Sequence, residues 1–377
     1  MNKHFSIYVH IPFCVKKCGY CDFISYENEN DLTDEYFLAL NREIVQNANI
    51  YQSKVVDTIF IGGGTPSFVD AKYIATIMSN LKKHYNISEN CEISIESNPN
   101  SITKEKLQKY KDCGINRVSI GVQSTSECVL KEMGRSHSAE DIRGAIDQIR
   151  CIGFTNFNID IMFAVPKQSF ENLVQTLNDV LSFEPTHISA YSLILEEGTA
   201  FFDKYHDREI TDEDEEREMY YYIREKLEEN GYNQYEISNF AKDGYECQHN
   251  LYCWQMEEYV GFGLNAHSYV SHKRFSNEVN LKRYIDKINC GETSIVEVEV
   301  MDTHQEINDA IMLALRTNEG ISTLEFNESF DIDFMARYEK QINKLKKENL
   351  IIIKENNISL TKEGMDVNNY IIGEFID

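Results

Sequence analysis

No stretch of the 377-residue chain approaches the roughly 20 consecutive apolar side chains that a membrane-spanning helix needs. The first residues, Met1-Asn2-Lys3-His4-Phe5, lack the apolar stretch and small-residue cleavage site of a secretory leader. A cytoplasmic location is therefore the expectation. Positive charge is scarce too. Lys and Arg number 37 against 62 Asp and Glu, a formal net charge of −25. Affinity for phosphate backbones comes from basic patches, so nucleic acid is not an expected partner. The densest acidic run, Asp212-Glu213-Asp214-Glu215-Glu216, reads as a solvated helix start, with a docking face for a basic partner as the alternative. Repeats and low-complexity tracts are absent. The length suits one large domain, or a large and a small one.

Cysteine is not scarce. Ten in a chain of this size do not make a disulfide framework, which belongs to short exported domains. Cys91, Cys113, Cys128, Cys151, Cys247, Cys253 and Cys290 are scattered and read as small buried apolar residues. The other three are clustered near the start.

Short β-branched or aromatic runs recur between helical stretches, predicting strands near Phe5–Ile11, Val56–Ile61, Glu92–Glu96, Arg117–Val122, Phe157–Met162 and His187–Leu193. Between the first two, Thr33 suits an N-cap, and Phe37, Leu40, Ile44 and Ala48 share one helical face. Ser101 or Thr103 and later Ser138 or Glu140 suit further helix starts. Strand then helix, six times over, predicts an α/β fold: a partial (β/α)6 barrel, curved and open rather than closed. Beyond about Glu197 come a charged helix (Glu215–Asn230), a Gly- and Tyr-rich segment (Tyr235–Tyr269) and a helix near Leu281–Ile288. The last section reads as helix, helix, then a hairpin around Leu350–Leu360, the wing of a smaller α+β winged-helix-like domain. The acidity favours packing or docking over DNA binding there. The expected division is 1–200 for the barrel, 201–300 for its extension and 301–377 for the C-terminal domain.

The most specific feature is Tyr8-Val9-His10-Ile11-Pro12-Phe13-Cys14-Val15-Lys16-Lys17-Cys18-Gly19-Tyr20-Cys21-Asp22-Phe23. Cys14, Cys18 and Cys21, spaced C-x3-C-x2-C directly after a strand, can wrap one [4Fe–4S] cubane and hold three of its irons. With no fourth cysteine nearby, one iron stays open to an exchangeable ligand. A zinc site with His10 or Asp22 as fourth ligand is the metal alternative, but structural zinc usually uses paired C-x2-C knuckles and one pair is present. Plain core thiols are the third reading. Cys14, Gly64 in Gly62-Gly63-Gly64-Thr65-Pro66, Glu96 and Gln123 all fall at the C-terminal ends of successive predicted strands, where parallel barrels build their sites. Asp160 lies inside its strand and has to point into the barrel to join them.

These runs resemble the radical S-adenosylmethionine superfamily, in which the open iron chelates the methionine moiety and one-electron transfer cleaves the sulfonium to a 5′-deoxyadenosyl radical. Nearly the whole chain is similar to one branch, the oxygen-independent coproporphyrinogen III dehydrogenases and their haem-chaperone relatives. The matching runs are Tyr8–Phe23, Phe60–Ser67, Ile115–Ser124, Gly134–His137, Asn158–Met162, His187–Phe201 and Tyr235–His267. The resemblance implies a first S-adenosylmethionine site with Tyr8, Gly64 and Glu96. It implies a second, known from the dehydrogenases, with Tyr20, Thr65, Pro66, Gln123, Arg135 and Asp160.

Two features favour the chaperones: Phe23 stands where the dehydrogenases carry a fourth cysteine, and the first strand begins without their N-terminal extension. A third is Cys247-Gln248-His249-Asn250-Leu251-Tyr252-Cys253-Trp254, which resembles the chaperones' H-N-x-x-Y-W haem motif with Cys253 in place of Tyr. It implies haem contact by His249, Cys247 and Trp254; a satisfied core histidine and a packing tryptophan are the plainer alternative. Ala164-Val165-Pro166-Lys167-Gln168 departs from the relatives' G-L-P-G-Q and leaves that loop's shape open. The implied function is a haem chaperone serving an acceptor protein, with a flavodoxin or ferredoxin as reductant and a homodimer as assembly. Radical decarboxylation of coproporphyrinogen III is the alternative.

Overall fold

The computed structural model describes residues 4–27, 30–207 and 210–376; Met1–Lys3, which bore on the leader question, lie outside them. Six strands follow one another in parallel: β1 (Phe5–Ile11), β2 (Val55–Gly63), β3 (Asn86–Ser97), β4 (Arg117–Gln123), β5 (Asn156–Phe163) and β6 (His187–Ser192). Between them run α1 (Asn30–Tyr51), α2 (Ala71–His84), α3 (Lys104–Asp112), α4 (Glu127–Met133), α5 (Ala139–Ile152) and α6 (Phe170–Ser182). The strands alternate with period two. Ile7, Val9, Ile59, Ile61, Ile93 and Ile95 are buried among the helices. Their neighbours Ser6, Tyr8, Thr58, Glu96 and Asp160 face the barrel interior, so the aliphatic face supplies the core and the polar face is left for a site.

All six predicted strands are present. Thr103 caps α3, and Ser138 starts α5 with a capping box to Asp141. Two helix readings are corrected. α1 begins at Asn30, ahead of Thr33, and α2, for which the strand–helix alternation named no cap or face, is capped by Asp70 and buries Ala71, Ile74, Ile77, Met78 and Leu81.

The sheet is larger than six strands. Further elements are α7 (Ala200–Tyr205), α8 (Glu213–Glu229), β7 (Asn233–Gln234), β8 (Asn239–Ala241), α9 (Gln248–Trp254), β9 (Glu258–Phe262), β10 (His267–Val270), β11 (Lys273–Asn277), α10 (Leu281–Asn289) and β12 (Ile295–Val300). Among the described residues these complete a twelve-stranded open sheet in the order β12-β11-β10-β9-β1-β2-β3-β4-β5-β6-β8-β7. β9 is parallel to β1, making a seventh parallel strand that the period-two reading missed because Glu258-Tyr259-Val260-Gly261-Phe262 lies inside a glycine-rich run. Buried Glu43 of α1 ties this flank down, accepting from Gly263 N (2.8 Å), Asn277 Nδ2 (2.9 Å), Tyr284 Oη (2.7 Å) and Ser294 Oγ (2.5 Å).

A second core, from Ile307 to Phe375, belongs to the C-terminal domain. Its helices α11 (Thr303–Ala314), α12 (Thr323–Phe330), α13 (Phe334–Arg337) and α14 (Glu339–Lys347) precede the hairpin β14 (Ile351–Lys354) and β15 (Asn357–Leu360). Ile321–Ser322, β13, completes a three-stranded antiparallel wing. Two helices after the hairpin, α15 (Lys362–Asp366) and α16 (Asn368–Phe375), were not foreseen.

Candidate functional site

The cluster loop leaves β1 at Pro12, and Phe13–Cys14 pairs with Tyr26–Glu27. The glycine loop after β2 lies directly against it: Gly64 N donates to Ile11 O (2.8 Å) and Thr65 N to Phe13 O (2.9 Å). Two glycines are required sterically. A Cβ on Gly64 would sit 2.9 Å from the carbonyl oxygens of Ile11 and Phe13; Gly63 has φ +111°, and a Cβ there would lie 2.5 Å from the His10 ring.

The three thiols are free, with Cys14 buried and Cys18 and Cys21 partly so. Thr65 Oγ1 is 3.4 Å from Cys14 Sγ, and Arg135 Nη1 donates to Cys18 Sγ at 3.4 Å. Burial raises the Cys14 thiol and pushes Cys21 up to about 11. The Arg135 guanidinium pulls Cys14 toward the thiolate but does not outweigh burial; a bound metal cation would favour the thiolates further. His10 is spent elsewhere. Its Nε2 donates to Ile24 O (3.1 Å), which leaves Nδ1 to accept from Tyr8 Oη (3.0 Å), and burial pushes its pKa down to about 4. Asp22 is exposed. With His10 committed to Ile24 and Tyr8 and Asp22 exposed, no four-donor zinc set is assembled among the described residues, and three cysteines at this spacing fit a cubane better than a closed zinc site.

The remaining residues expected at the cofactor end gather around this loop. Glu96 accepts from Gly63 N (3.0 Å). Burial, then the nearby Asp160 charge, raises its pKa to about 7. Asp160 points into the barrel, accepting from Asn158 Nδ2 (2.6 Å) and Ser119 Oγ (3.4 Å), and burial raises its pKa. Gln123 closes β4 with φ +65°, and it and Arg135 both flank Gly121. Pro66 is buried beside Thr65. Tyr20 packs on Phe201 at 6.2 Å, where Phe201 N donates to Gly19 O. Sequence reasoning missed Asn98, which joins the two halves by donating to Thr65 Oγ1 (3.3 Å) and accepting from Arg135 Nη2 (2.7 Å). Its place two residues after Glu96 was the available signal.

The residues expected at haem lie elsewhere. α9 closes the barrel at the N-terminal ends of the strands. His249 is buried, its Nδ1 2.8 Å from Thr58 Oγ1 and its ring 5.1 Å from that of Phe60. Burial, then the Arg117 charge, lowers its pKa to about 3. Cys247 caps the helix, fully buried, its thiol pushed up to about 12 by burial. Glu92, unnoticed in the sequence, accepts from His249 N (3.2 Å), Gln248 N (3.3 Å) and Cys247 Sγ (3.5 Å). Trp254 ends α9, half-buried.

Comparison with known proteins agrees with this architecture. The radical SAM superfamily matches residues 8–180 and the HemN C-terminal domain residues 301–367. A Bacillus subtilis protein named heme chaperone HemW is 34% identical over 98% of this chain and 99% of its own length. The chain belongs to the HemW family. A Lactococcus lactis HemW is 31% identical over 100% of this chain and 98% of its own, and an Escherichia coli HemW 36% identical over 71% and 70%. The Escherichia coli coproporphyrinogen III oxidase HemN, described as a radical SAM enzyme, superposes with a TM-score of 0.88 over 99% of this chain and 90% of its own. At 24% identity that likeness establishes the shared fold. No helix among the described residues is long and apolar enough to cross a membrane.

Proposed function

We propose that this chain is a haem chaperone, which binds haem and passes it to an acceptor protein. The observation that carries the reading is the end-to-end likeness to proteins named heme chaperone HemW, at 34% identity over 98% of the chain. Cys14, Cys18 and Cys21 hold a [4Fe–4S] cluster, with S-adenosylmethionine on its open iron. Bound there, the cluster supplies single electrons and a coordination site for the amino-acid end of the sulfonium. Tyr8, Gly64 and Glu96 form the first S-adenosylmethionine site. Tyr20, Thr65, Pro66, Gln123, Arg135 and Asp160 wall a second.

The protein's own groups suit these tasks. Arg135 places a permanent positive charge on the thiol loop. Glu96 and Asp160, two carboxylates with raised pKa values, can hold a proton or accept from ribose and amino groups. His249, Cys247 and Trp254 contact haem. The division into a barrel (1–200), an extension bearing the haem motif (201–300) and a C-terminal domain (301–377), a cytoplasmic location, a flavodoxin or ferredoxin as reductant and a homodimer belong to the same proposal.

The test is anoxic haem titration of the wild type and His249→Ala. Tight binding that the substitution weakens supports the chaperone reading. Parallel incubation with S-adenosylmethionine, a low-potential reductant and coproporphyrinogen III is expected to give no stoichiometric protoporphyrinogen or 5′-deoxyadenosine. Their appearance overturns it in favour of the decarboxylase.

A further inference from the structure

The imidazole proposed to meet haem is turned inward. His249 is 7% exposed, stacked on Phe60 of β2 and held against Thr58 of the same strand and Glu92 of β3. Thr58 Oγ1 gives its own hydrogen to Ser6 Oγ (2.8 Å), so it faces His249 Nδ1 as an acceptor and fixes the Nδ1–H tautomer. Thr58 and Glu92 are cross-strand partners, which puts both holds on His249 at one level of the barrel.

Glu92 makes the second hold. Its carboxylate takes the Gln248 and His249 amides, donors that the first turn of α9 leaves unpaired, together with the Cys247 thiol. Arg117, 2% exposed, lies close enough to influence both Glu92 and Cys247. Its Nε has no hydrogen-bond partner, and its guanidinium acts on the Glu92 carboxylate as a nearby positive charge. A planar macrocycle cannot reach the His249 ring in this arrangement. α9 also packs against α11 of the C-terminal domain, whose contacts to the barrel include the hydrogen bonds Tyr269–Glu306 and Tyr221–Asp366.

We propose that His249 is stowed as a peg in the barrel floor, and that Glu92 and Thr58 are the positioning residues that set how readily α9 withdraws to present it to haem. This rests on the reading of His249 as a haem contact. In such a scheme the apparent affinity is the intrinsic affinity multiplied by the fraction withdrawn, so weakening the hold tightens binding.

The experiment is anoxic titration of the full-length protein with haem, followed by the Soret band, for wild type, His249→Ala, Glu92→Gln and Thr58→Val. Hydrogen exchange of the α9 peptide is measured with and without haem. Thr58→Val keeps the shape and removes the neutral hydrogen bond to His249 along with that to Ser6; only the first holds α9, so about 2–10-fold tighter apparent binding is expected. Glu92→Gln removes the charge and one of the two acceptor oxygens, and about tenfold or more is expected. α9 exchanges slowly in the haem-free protein and faster once haem is bound. If His249→Ala leaves binding unchanged, the haem assignment itself falls and this inference with it. If His249→Ala weakens binding while Thr58→Val and Glu92→Gln do not tighten it, only the stowed peg is overturned. Should Glu92→Gln fail to fold with Arg117 uncompensated, Thr58→Val and the exchange measurement decide alone.

Discussion

Lys167 offers a test in which the usual order of two substitutions reverses. It stands in the loop after β5 with φ +68°, and Ala164 in the same loop has φ +54°. These are the two glycine positions of the G-L-P-G-Q pattern that this loop departs from, and the loop holds a left-handed backbone at both without glycine. An L-residue in this region costs about 1–2 kcal/mol. Glycine removes that cost, but frees the unfolded chain by about 0.4–1 kcal/mol. The difference leaves Lys167→Gly more stable than Lys167→Ala by about 0.5–1 kcal/mol, where at an ordinary position glycine is the worse by a similar amount. Both variants lose the same contact to Glu132 (2.5 Å), so that loss cancels in the comparison. Guanidinium unfolding followed by the fluorescence of Trp254, the one tryptophan, reads the barrel transition in each variant. Lys167→Ala equal to or more stable than Lys167→Gly refutes the backbone argument.

Freshly prepared anoxic protein should carry about four irons per chain with a broad thiolate-to-iron band; combined Cys14→Ala, Cys18→Ala and Cys21→Ala should abolish both, and iron that survives it sinks the cluster assignment. Glu43→Ala removes the acceptor of four buried donors: Gly263 N and Tyr284 Oη lose the partner given above, while Asn277 Nδ2 keeps Gly263 O and Ser294 Oγ keeps Asn277 Oδ1. A loss of about 3 kcal/mol or more in denaturant titration is expected, and under 1 kcal/mol contradicts the node. Glu96 rises from 4.5 unfolded to about 7 folded, so the native state binds the extra proton between those values. Stability from this group is present below pH 4.5 and lost as pH rises toward 7, and Glu96→Gln should flatten that slope. An unchanged slope removes Glu96 as its source.

Much of the fold was legible because the parallel strands carry aliphatic side chains on one face, as in Ile7, Val9 and Ile11. The caps at Thr103 and Ser138 were legible from side-chain chemistry alone. The flank from β9 to β12 was not. Its strands are short, and their partners β1 and Glu43 lie more than 200 residues away, a relation that local periodicity does not encode. At the cofactor end, chemistry-bearing types were recognisable one by one, whereas Asn98 and His10 act by hydrogen bonds that exist only after folding. Glu92 resembled an ordinary polar strand residue until α9 was seen to start on it.

The two ends of the barrel are connected by ordinary packing. Tyr8 lies beside Glu96 at the cofactor end, and its ring is stacked on Phe60 at 6.4 Å. The other neighbour of Phe60 is His249, at 5.1 Å. Tyr8, Phe60 and His249 therefore form one column from the cofactor loops to the floor. Withdrawal of His249 leaves a space beside Phe60 that close-packed interiors do not keep empty. Either Phe60 shifts toward the floor and loosens Tyr8, or water enters beside Thr58 and Ser6, which can bond to it. In the first case, haem at α9 alters the Tyr8 contact to His10 and with it S-adenosylmethionine affinity; by reciprocity the sulfonium alters haem affinity by the same factor. In the second, the ends stay independent. Haem titration with and without saturating S-adenosylmethionine separates the two, and Phe60→Leu, which removes the stacked ring, should erase any coupling observed.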